Sequence, residues 1–118
     1  MTFALEIEPL PQCRPRFSRG RVFEPARITS YKNAVAEAAR TAMAGTPPLT
    51  GAVEVQIRFS RKFSVTSRRF GDLDNLAKSV IDALNGVIWL DDAQIVKLEL
   101  EKIQAPTTFL EVHINECT

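Results

Sequence analysis

The sequence predicts an α+β domain in which two main helices pack on a small mixed β-sheet. Runs in which apolar and polar residues alternate, as in strands, are interleaved with two runs whose apolar residues recur at helical spacing. The resulting element order is β-α-β-α-β-β. The length of 118 residues is typical of one domain, so residues 1–118 are expected to form a single domain.

The first strand is predicted at residues 2–8, where Phe3, Leu5 and Ile7 alternate with polar residues before a proline-rich stretch. That stretch, residues 11–29, holds three prolines, one glycine and five arginines. It is predicted to be a long loop or an irregular hairpin. Loops of this length are usually functional or disordered.

The first helix is predicted to begin at a cap on Thr29 or Ser30 and to end at Gly45, where two prolines follow. Residues 51–59 then alternate four apolar side chains with polar ones and predict a half-buried strand. A basic, turn-rich stretch, SRKFSVTSRRFG, follows at residues 60–71.

The second helix is predicted from Asp72 to Asn85. Apolar residues form a stripe along it, while Asp74, Lys78 and Asp82 lie at four-residue intervals on the opposite face. A turn containing two aspartates comes next. The two final strands are predicted at residues 95–103 and at about 107–114.

The charge distribution suggests two functional surfaces. Residues 1–70 hold twelve Lys or Arg against five Asp or Glu, whereas the remaining residues hold three against nine. The basic part suits a polyanion and the acidic part a metal cation. Charges that merely face the solvent would explain the split equally well.

Other sequence features argue against a zinc site, a disulfide framework, a secreted protein and a membrane protein. Two cysteines and one histidine share no metal-site spacing, and no run of eighteen apolar residues or signal peptide is present. We therefore expect a cytoplasmic protein without a membrane segment.

Two aspartate pairs, Asp72 with Asp74 and Asp91 with Asp92, are the candidate catalytic residues. Each has a structural explanation: capping worth about 1 kcal/mol, a helix-surface ion pair with Lys78 worth roughly 0.2–0.5 kcal/mol, or turn formation. The alternative is functional, because a small sheet can bring the ends of these elements together. Carboxylate oxygens suit Mg²⁺, and a nearby ammonium can neutralise a phosphoryl group.

The run from Asp72 to Ile95, DLDNLxKxxxDALNGVIWxDDxQI, resembles the signature of the RusA-type Holliday junction resolvases. A looser similarity to the N-terminal R-P-R segment of the family begins at Arg14. The resemblance implies a RusA-like fold and a small homodimeric, Mg²⁺-dependent endonuclease. Such an enzyme nicks four-way DNA junctions symmetrically in recombination and repair, and prophages often encode it.

The resemblance also assigns roles to individual residues. The metal-binding acids of the family fall on Asp72, Asp74 and Asp92, with Asp91 as the alternative third acid, and the essential lysine falls on Lys78. One or two Mg²⁺ ions per subunit are implied, with Mn²⁺ as a substitute and without a nucleotide cofactor. The basic loops would then contact the phosphates of branched DNA; the candidates are Arg14, Arg16, Arg19, Arg21, Arg27, Arg61, Lys62, Arg68 and Arg69.

Three phenylalanines in these loops, Phe17, Phe63 and Phe70, could stack on unpaired bases, although a core role is the commoner one. Two alternative functions stay open. A non-catalytic DNA-binding or phage structural module would use the acids only as caps and turns. A nucleotide-sugar transferase with a D-x-D metal site is less favoured, because the chain lacks the length for a nucleotide-binding sheet.

Overall fold

A four-stranded mixed sheet organises the protein, and the computed structural model describes residues 1–12, 16–18 and 20–117. The strand order is β1-β6-β4-β5, in which only the β4–β5 pair is parallel among the described strands. The predicted α+β class and mixed sheet are thus confirmed. The elements are β1 Thr2–Leu5, β2 Arg16–Ser18, β3 Arg21–Phe23, α1 Ala26–Met43, β4 Val53–Arg61, α2 Leu73–Leu84, a 3₁₀ turn at Asp92–Gln94, β5 Ile95–Gln104 and β6 Phe109–Glu116.

Part of the stretch rich in proline and arginine forms the predicted irregular hairpin. Strands β2 and β3 pair antiparallel as a separate two-stranded sheet, with Phe17 opposite Val22. We call residues 16–23 the basic hairpin. It adds two short strands to the predicted order of elements.

The start of α1 differs from the prediction. The helix begins at Ala26 after Pro25, not at a cap on Thr29 or Ser30, and no side chain caps it. Proline is tolerated at a helix start because its missing N–H would have no partner there. The Thr29 hydroxyl instead donates a hydrogen bond of 2.9 Å to Glu24.

The core lies between one face of the sheet and the two helices. On β4 and β6 the apolar partners share that face, as Ile57 does with Val112 and Phe59 with Leu110, and all four are fully buried. They belong to one cluster with buried residues of both helices; these are Ile28, Tyr31, Val35, Ala39 and Met43 of α1 and Leu76, Ala77, Val80 and Leu84 of α2.

The segment after α2 is fastened to this core by the single tryptophan. Trp89 is fully buried, and its indole Nε1 donates a hydrogen bond of 2.6 Å to the Asn85 side chain. The amide of Leu49 donates to the carbonyl of Ile88 over 2.8 Å. These bonds place the following aspartate turn beside the start of β4.

The other face of the sheet is polar. Arg58 reaches Glu101 on one side at 3.6 Å and Glu111 on the other at 3.5 Å. His113 lies 2.8 Å from both Glu111 and the Thr2 hydroxyl. Hydrogen bonds from His113 and then from Arg58 lower the pKa of Glu111, against the opposing effect of burial.

Strand β5 has an exposed outer edge. Leu98 faces the core side with its partner Val55, yet its side chain is 40% exposed, and Val96, at an irregularity in the pairing, is 62% exposed. The apolar alternation of β5 was predicted correctly, but the helices cover only part of this strand. In the part of the chain that is described, no helix combines the length and apolarity that a bilayer span needs.

Candidate active site

The start of α2 presents the first aspartate pair to solvent. Asp72 is the N-cap residue, as predicted, but its carboxylate makes no capping hydrogen bond. Asp74 lies in the first turn, and one of its oxygens accepts a hydrogen bond of 3.0 Å from the amide of Asn75. Both side chains are exposed, so carboxylate oxygens remain available to a cation.

The backbone that carries these acids is held firmly. Phe70 and Leu76, on either side of the pair, are fully buried. The amide of Leu76 donates to the carbonyl of Asp72 over 2.9 Å and closes the first helical turn. Gly71 enters the helix with φ 102°, a conformation that favours glycine.

Lys78 lies one helical turn after Asp74 and is exposed. Within the described residues its ammonium makes no hydrogen bond or ion pair. The ladder of ion pairs that would explain the spacing of Asp74, Lys78 and Asp82 structurally is therefore not formed. Asp82 instead lies 3.7 Å from Lys32 of α1.

The second aspartate pair is divided between two roles. Asp91 caps the 3₁₀ turn, since its carboxylate accepts from the amide of Ala93 over 3.2 Å. Asp92 is exposed and makes no side-chain hydrogen bond within the described chain. This difference favours Asp92 over Asp91 as the available carboxylate.

Gln94 holds this turn in place, a role that the sequence analysis missed. Its carbonyl oxygen accepts from the amides of Leu90 and Asp91, at 2.9 and 3.0 Å, and its NH₂ group donates to the carbonyls of Leu49 and Gly51, at 2.8 Å each. The Asp91-x-x-Gln94 spacing is that of a capping box and was the available signal.

The two aspartate pairs lie toward opposite ends of β5. Lys102 donates a hydrogen bond of 3.0 Å to the carbonyl of Gly71, next to Asp72. Asp92 comes three residues before Ile95 and shares a cavity with Ile81, in the second half of α2. At about 3.3 Å per residue, Ile95 and Lys102 are roughly 23 Å apart along the strand. Among the described residues, no three His, Cys, Asp or Glu side chains are grouped closely enough to hold one metal ion.

The prediction of a phosphate contact is wrong for Arg61. This residue is 7% exposed, its guanidinium pairs with Glu8, and one Nη donates a hydrogen bond of 2.8 Å to the carbonyl of Phe70. The contacts of this buried cation are made inside the protein and not with a phosphate. The prediction failed because Glu8, the ion-pair partner, is 53 residues away in the sequence.

The remaining predicted phosphate contacts are on the surface wherever their side chains are described. Arg27, Lys62, Arg68 and Arg69 are exposed, and the Arg69 guanidinium lies 4.4 Å from the centre of the Phe63 ring. Arg14 and Arg19 lie outside the described residues; for Arg16 and Arg21 the structure places only the backbone, in β2 and β3.

Of the three phenylalanines considered for base stacking, Phe70 is fully buried and therefore has the core role that was expected to be the commoner one. Phe63 is partly buried and packs against the core between Arg61 and Arg69. The side chain of Phe17 is outside the described part of the chain.

Contacts on either side of the basic hairpin join it to both helices, to α2 before the hairpin and to α1 after it. On one side the amide of Gln12 donates to the carbonyl of Asn75 over 2.9 Å, and the Ser79 hydroxyl donates to that of Leu10 over 2.7 Å. On the other side Glu24 binds Lys32 at 2.6 Å. The hydrogen bond from Lys32 lowers the pKa of Glu24, against the opposing effect of burial. The residues that flank the hairpin therefore lie beside the first half of α2 and beside α1.

Comparison with known proteins identifies the family. The model of the family described as "Endodeoxyribonuclease RusA" matches residues 6–115. The chain is 37% identical to "Crossover junction endodeoxyribonuclease RusA" of Escherichia coli (strain K12) over 89 residues, which are 75% of this chain and 70% of the relative. It is 36% identical to the protein of that name from Enterobacteria phage 82, with the same coverage.

A further relative covers nearly the whole chain. The chain is 32% identical to "Uncharacterized protein YqaN" of Bacillus subtilis (strain 168), over 97% of this chain and 94% of the relative. The predicted family and the prediction of a nuclease are confirmed. The chain belongs to the RusA family of endodeoxyribonucleases.

Proposed function

We propose that residues 1–118 act as one domain that cleaves four-way DNA junctions with the help of a divalent metal, by paired symmetric hydrolysis of phosphodiester bonds. One observation carries this proposal: the Asp72 and Asp74 carboxylates are exposed at the start of α2, and the Lys78 ammonium, unpaired among the described residues, lies one turn away. The relatives named as crossover junction endodeoxyribonucleases support the choice of substrate. We place this activity in the cytoplasm.

The donor set fits a hard divalent cation. Mg²⁺ is commonly bound by one or two carboxylates that leave positions for water and phosphate oxygens, and Asp72 and Asp74 supply two such groups. Asp92 is the proposed third ligand, with Asp91 as the alternative. One or two Mg²⁺ ions per subunit, or Mn²⁺ in their place, would supply Lewis-acid stabilisation of the phosphoryl oxygens and a lowered pKa for the attacking water.

Lys78 is proposed to act on the substrate directly. Its ammonium is available in the described chain, and it lies on the helix that carries the acids. A positive charge there would stabilise the charge that develops on the phosphoryl oxygens during displacement. The exposed Arg27, Lys62, Arg68 and Arg69, together with the basic hairpin, would hold the neighbouring phosphates.

A homodimer explains how acids at opposite ends of β5 could serve one site. Two copies related by a two-fold axis would pair their β5 edges antiparallel, because each strand meets an identical strand reversed. The start of β5 in one subunit would then lie beside the end of β5 in the partner. Asp92 of each copy would thereby approach Asp72 and Asp74 of the other. The exposed Val96 and Leu98 supply apolar contact area at this edge.

The test compares the wild-type protein with Asp74→Asn on a labelled four-way junction and on linear duplex, with Mg²⁺ or with a chelator. We expect paired nicks in the junction alone, lost with chelator and reduced at least about 100-fold in Asp74→Asn, the scale on which loss of one electrostatic stabiliser acts. Junction binding should survive the substitution.

Asp82→Asn is the matched control, since Asp82 lies two turns further along the same helix. This variant should cleave junctions as the wild type does. Junction binding without nicks under every condition would instead support the non-catalytic DNA-binding module.

A further inference from the structure

Two cations interrupt apolar rows that would otherwise continue to the ends of β4 and β5. On β4 the core-facing row of alternate residues ends in Arg61, and on β5 the row through Leu98 and Leu100 ends in Lys102. Lys102 pairs in register with Phe59, so both cations lie at the same end of the two parallel strands. A charge is costly at a core-facing position unless it has a partner.

Both cations donate to backbone carbonyls of successive residues, and Arg61 also pairs with Glu8. Arg61 donates to the carbonyl of Phe70 over 2.8 Å, and Lys102 donates to that of Gly71 over 3.0 Å. The Lys102 ammonium also lies 5.2 Å from the centre of the Phe70 ring. Hydrogen bonds from charged donors are about twice as strong as neutral ones. The two peptide groups just before Asp72 are therefore fixed to the end of the sheet.

Few side-chain contacts hold Asp72 and Asp74 in place. Asp72 makes no side-chain capping bond, and the Asp74 carboxylate binds only the amide of the next residue within the described chain. Their positions thus depend on the backbone to which they are attached.

We propose that Arg61 and Lys102 are positioning residues, which set the geometry of Asp72 and Asp74 by holding the carbonyls of Phe70 and Gly71. This inference rests on the proposed metal-dependent nuclease function. It predicts a cleavage defect that DNA binding does not share, because neither cation is placed to contact DNA: Arg61 is buried and Lys102 is turned toward Gly71.

The test uses Lys102→Met, which keeps the long apolar stem but removes the donor, and Lys102→Arg, which keeps a cationic donor. At saturating junction and metal, kcat of Lys102→Met should fall roughly 10- to 100-fold, as expected for a small misplacement of reacting groups. The Mg²⁺ concentration for half-maximal rate should rise, while the Kd for junction DNA stays within about twofold. Lys102→Arg should recover most of kcat. Arg40→Met, which removes an exposed cation from α1, is the control.

Two readouts do not depend on cleavage. The rise in Tm caused by Mn²⁺ should be smaller for Lys102→Met, and the backbone amides of residues 70–76 should exchange hydrogen faster than in the wild type or the Arg40→Met control. If the wild-type protein fails to cut junctions with metal, the proposed function fails. The exchange measurement still tests whether Lys102 holds the backbone before Asp72.

Two results would overturn the inference. In one, Lys102→Met matches the wild type in kcat, metal dependence and amide exchange. In the other, stability, DNA affinity and kcat fall together and Lys102→Arg restores none of them, which would make Lys102 a general structural residue.

Discussion

Gly71 sets the direction in which the chain enters α2. Its φ of 102° is outside the range that other residues adopt readily, whereas a Cβ there would meet Leu76 and Pro11 only at ordinary distances of 3.6 Å. The obstacle to a side chain is therefore backbone conformation and not space. Because Asp72 follows directly, this conformation belongs to the geometry of the proposed site.

We expect Gly71→Ala to lower the free energy of unfolding by about 1–3 kcal/mol, the usual cost of such backbone strain. Urea denaturation measures the change. Gly51→Ala is the control, since a Cβ at Gly51 would meet nothing within 4 Å and its φ is not in the positive range. Equal losses for both variants would contradict the conformational explanation.

At the scale of single residues, the sequence predicts positions that local rules set better than positions that long-range contacts set. Asp72 was predicted as the N-cap and Asp74 as a first-turn acid, and both lie there because local rules govern helix starts. Arg61 and Arg69 look alike in sequence, but one is buried and the other exposed. What separates them is the long-range contact of Arg61 with Glu8, which no local pattern contains.

At the scale of elements, α2 and β4 were predicted to within about two residues, since both carry strong apolar periodicity. The N-cap of α1 was predicted four or five residues late, because Thr29 and Ser30 are good caps and Pro25 is not. Tertiary contacts decide this start. The Thr29 hydroxyl and Lys32 both bind Glu24, which comes just before the helix.

The link between the basic hairpin and α1 should depend on pH. Lys32 lowers the pKa of Glu24 below its usual value of 4.5 in the folded protein, so the unfolded state binds a proton more readily. Glu24 therefore contributes stability above about pH 4.5, and that contribution is lost as the pH falls through the lower folded value. Glu111, whose pKa is also lowered, adds to the loss in the same range.

Urea denaturation between pH 3 and pH 7 tests this link. We expect Glu24→Gln to be less stable than the wild type at pH 7 and to lose less stability on acidification. Glu37→Gln, which removes an exposed carboxylate from α1, should keep the wild-type dependence of the free energy of unfolding on pH. If the free energy of unfolding of Glu24→Gln depended on pH as that of the wild type does, the Lys32 contact would contribute nothing to folding.

At the scale of the whole molecule, the sequence offers candidate residues for the site but does not predict how far apart they lie. The expectation was that the sheet would bring Asp72, Asp74 and Asp92 together. The parallel pairing of β4 and β5, with α2 running back along β5, instead places Asp72 and Asp92 toward opposite ends. Strand direction arises from long-range packing, so no local pattern could reveal it.

Mixing two inactive variants tests the shared site. If each site takes Asp74 from one subunit and Asp92 from the other, a mixed dimer of Asp74→Asn and Asp92→Asn has one intact site. Co-refolding equal amounts should then restore about a quarter of wild-type nicking, as single nicks and not paired ones. Mixing Asp74→Asn with Asp72→Asn is the control and should restore nothing.

Native mass spectrometry would verify that mixed dimers form. Mixed dimers without restored nicking would place all three acids in one chain, and a monomer at every concentration, with and without junction, would exclude the dimer.

The buried Trp89 gives the protein a built-in optical probe. The chain has one tryptophan, so its intrinsic fluorescence arises from a single place, between the end of α2 and the aspartate turn. A fully buried indole emits at shorter wavelength than one in water. A red shift on heating or in denaturant would therefore report loosening beside Asp91 and Asp92, without any label attached to the protein.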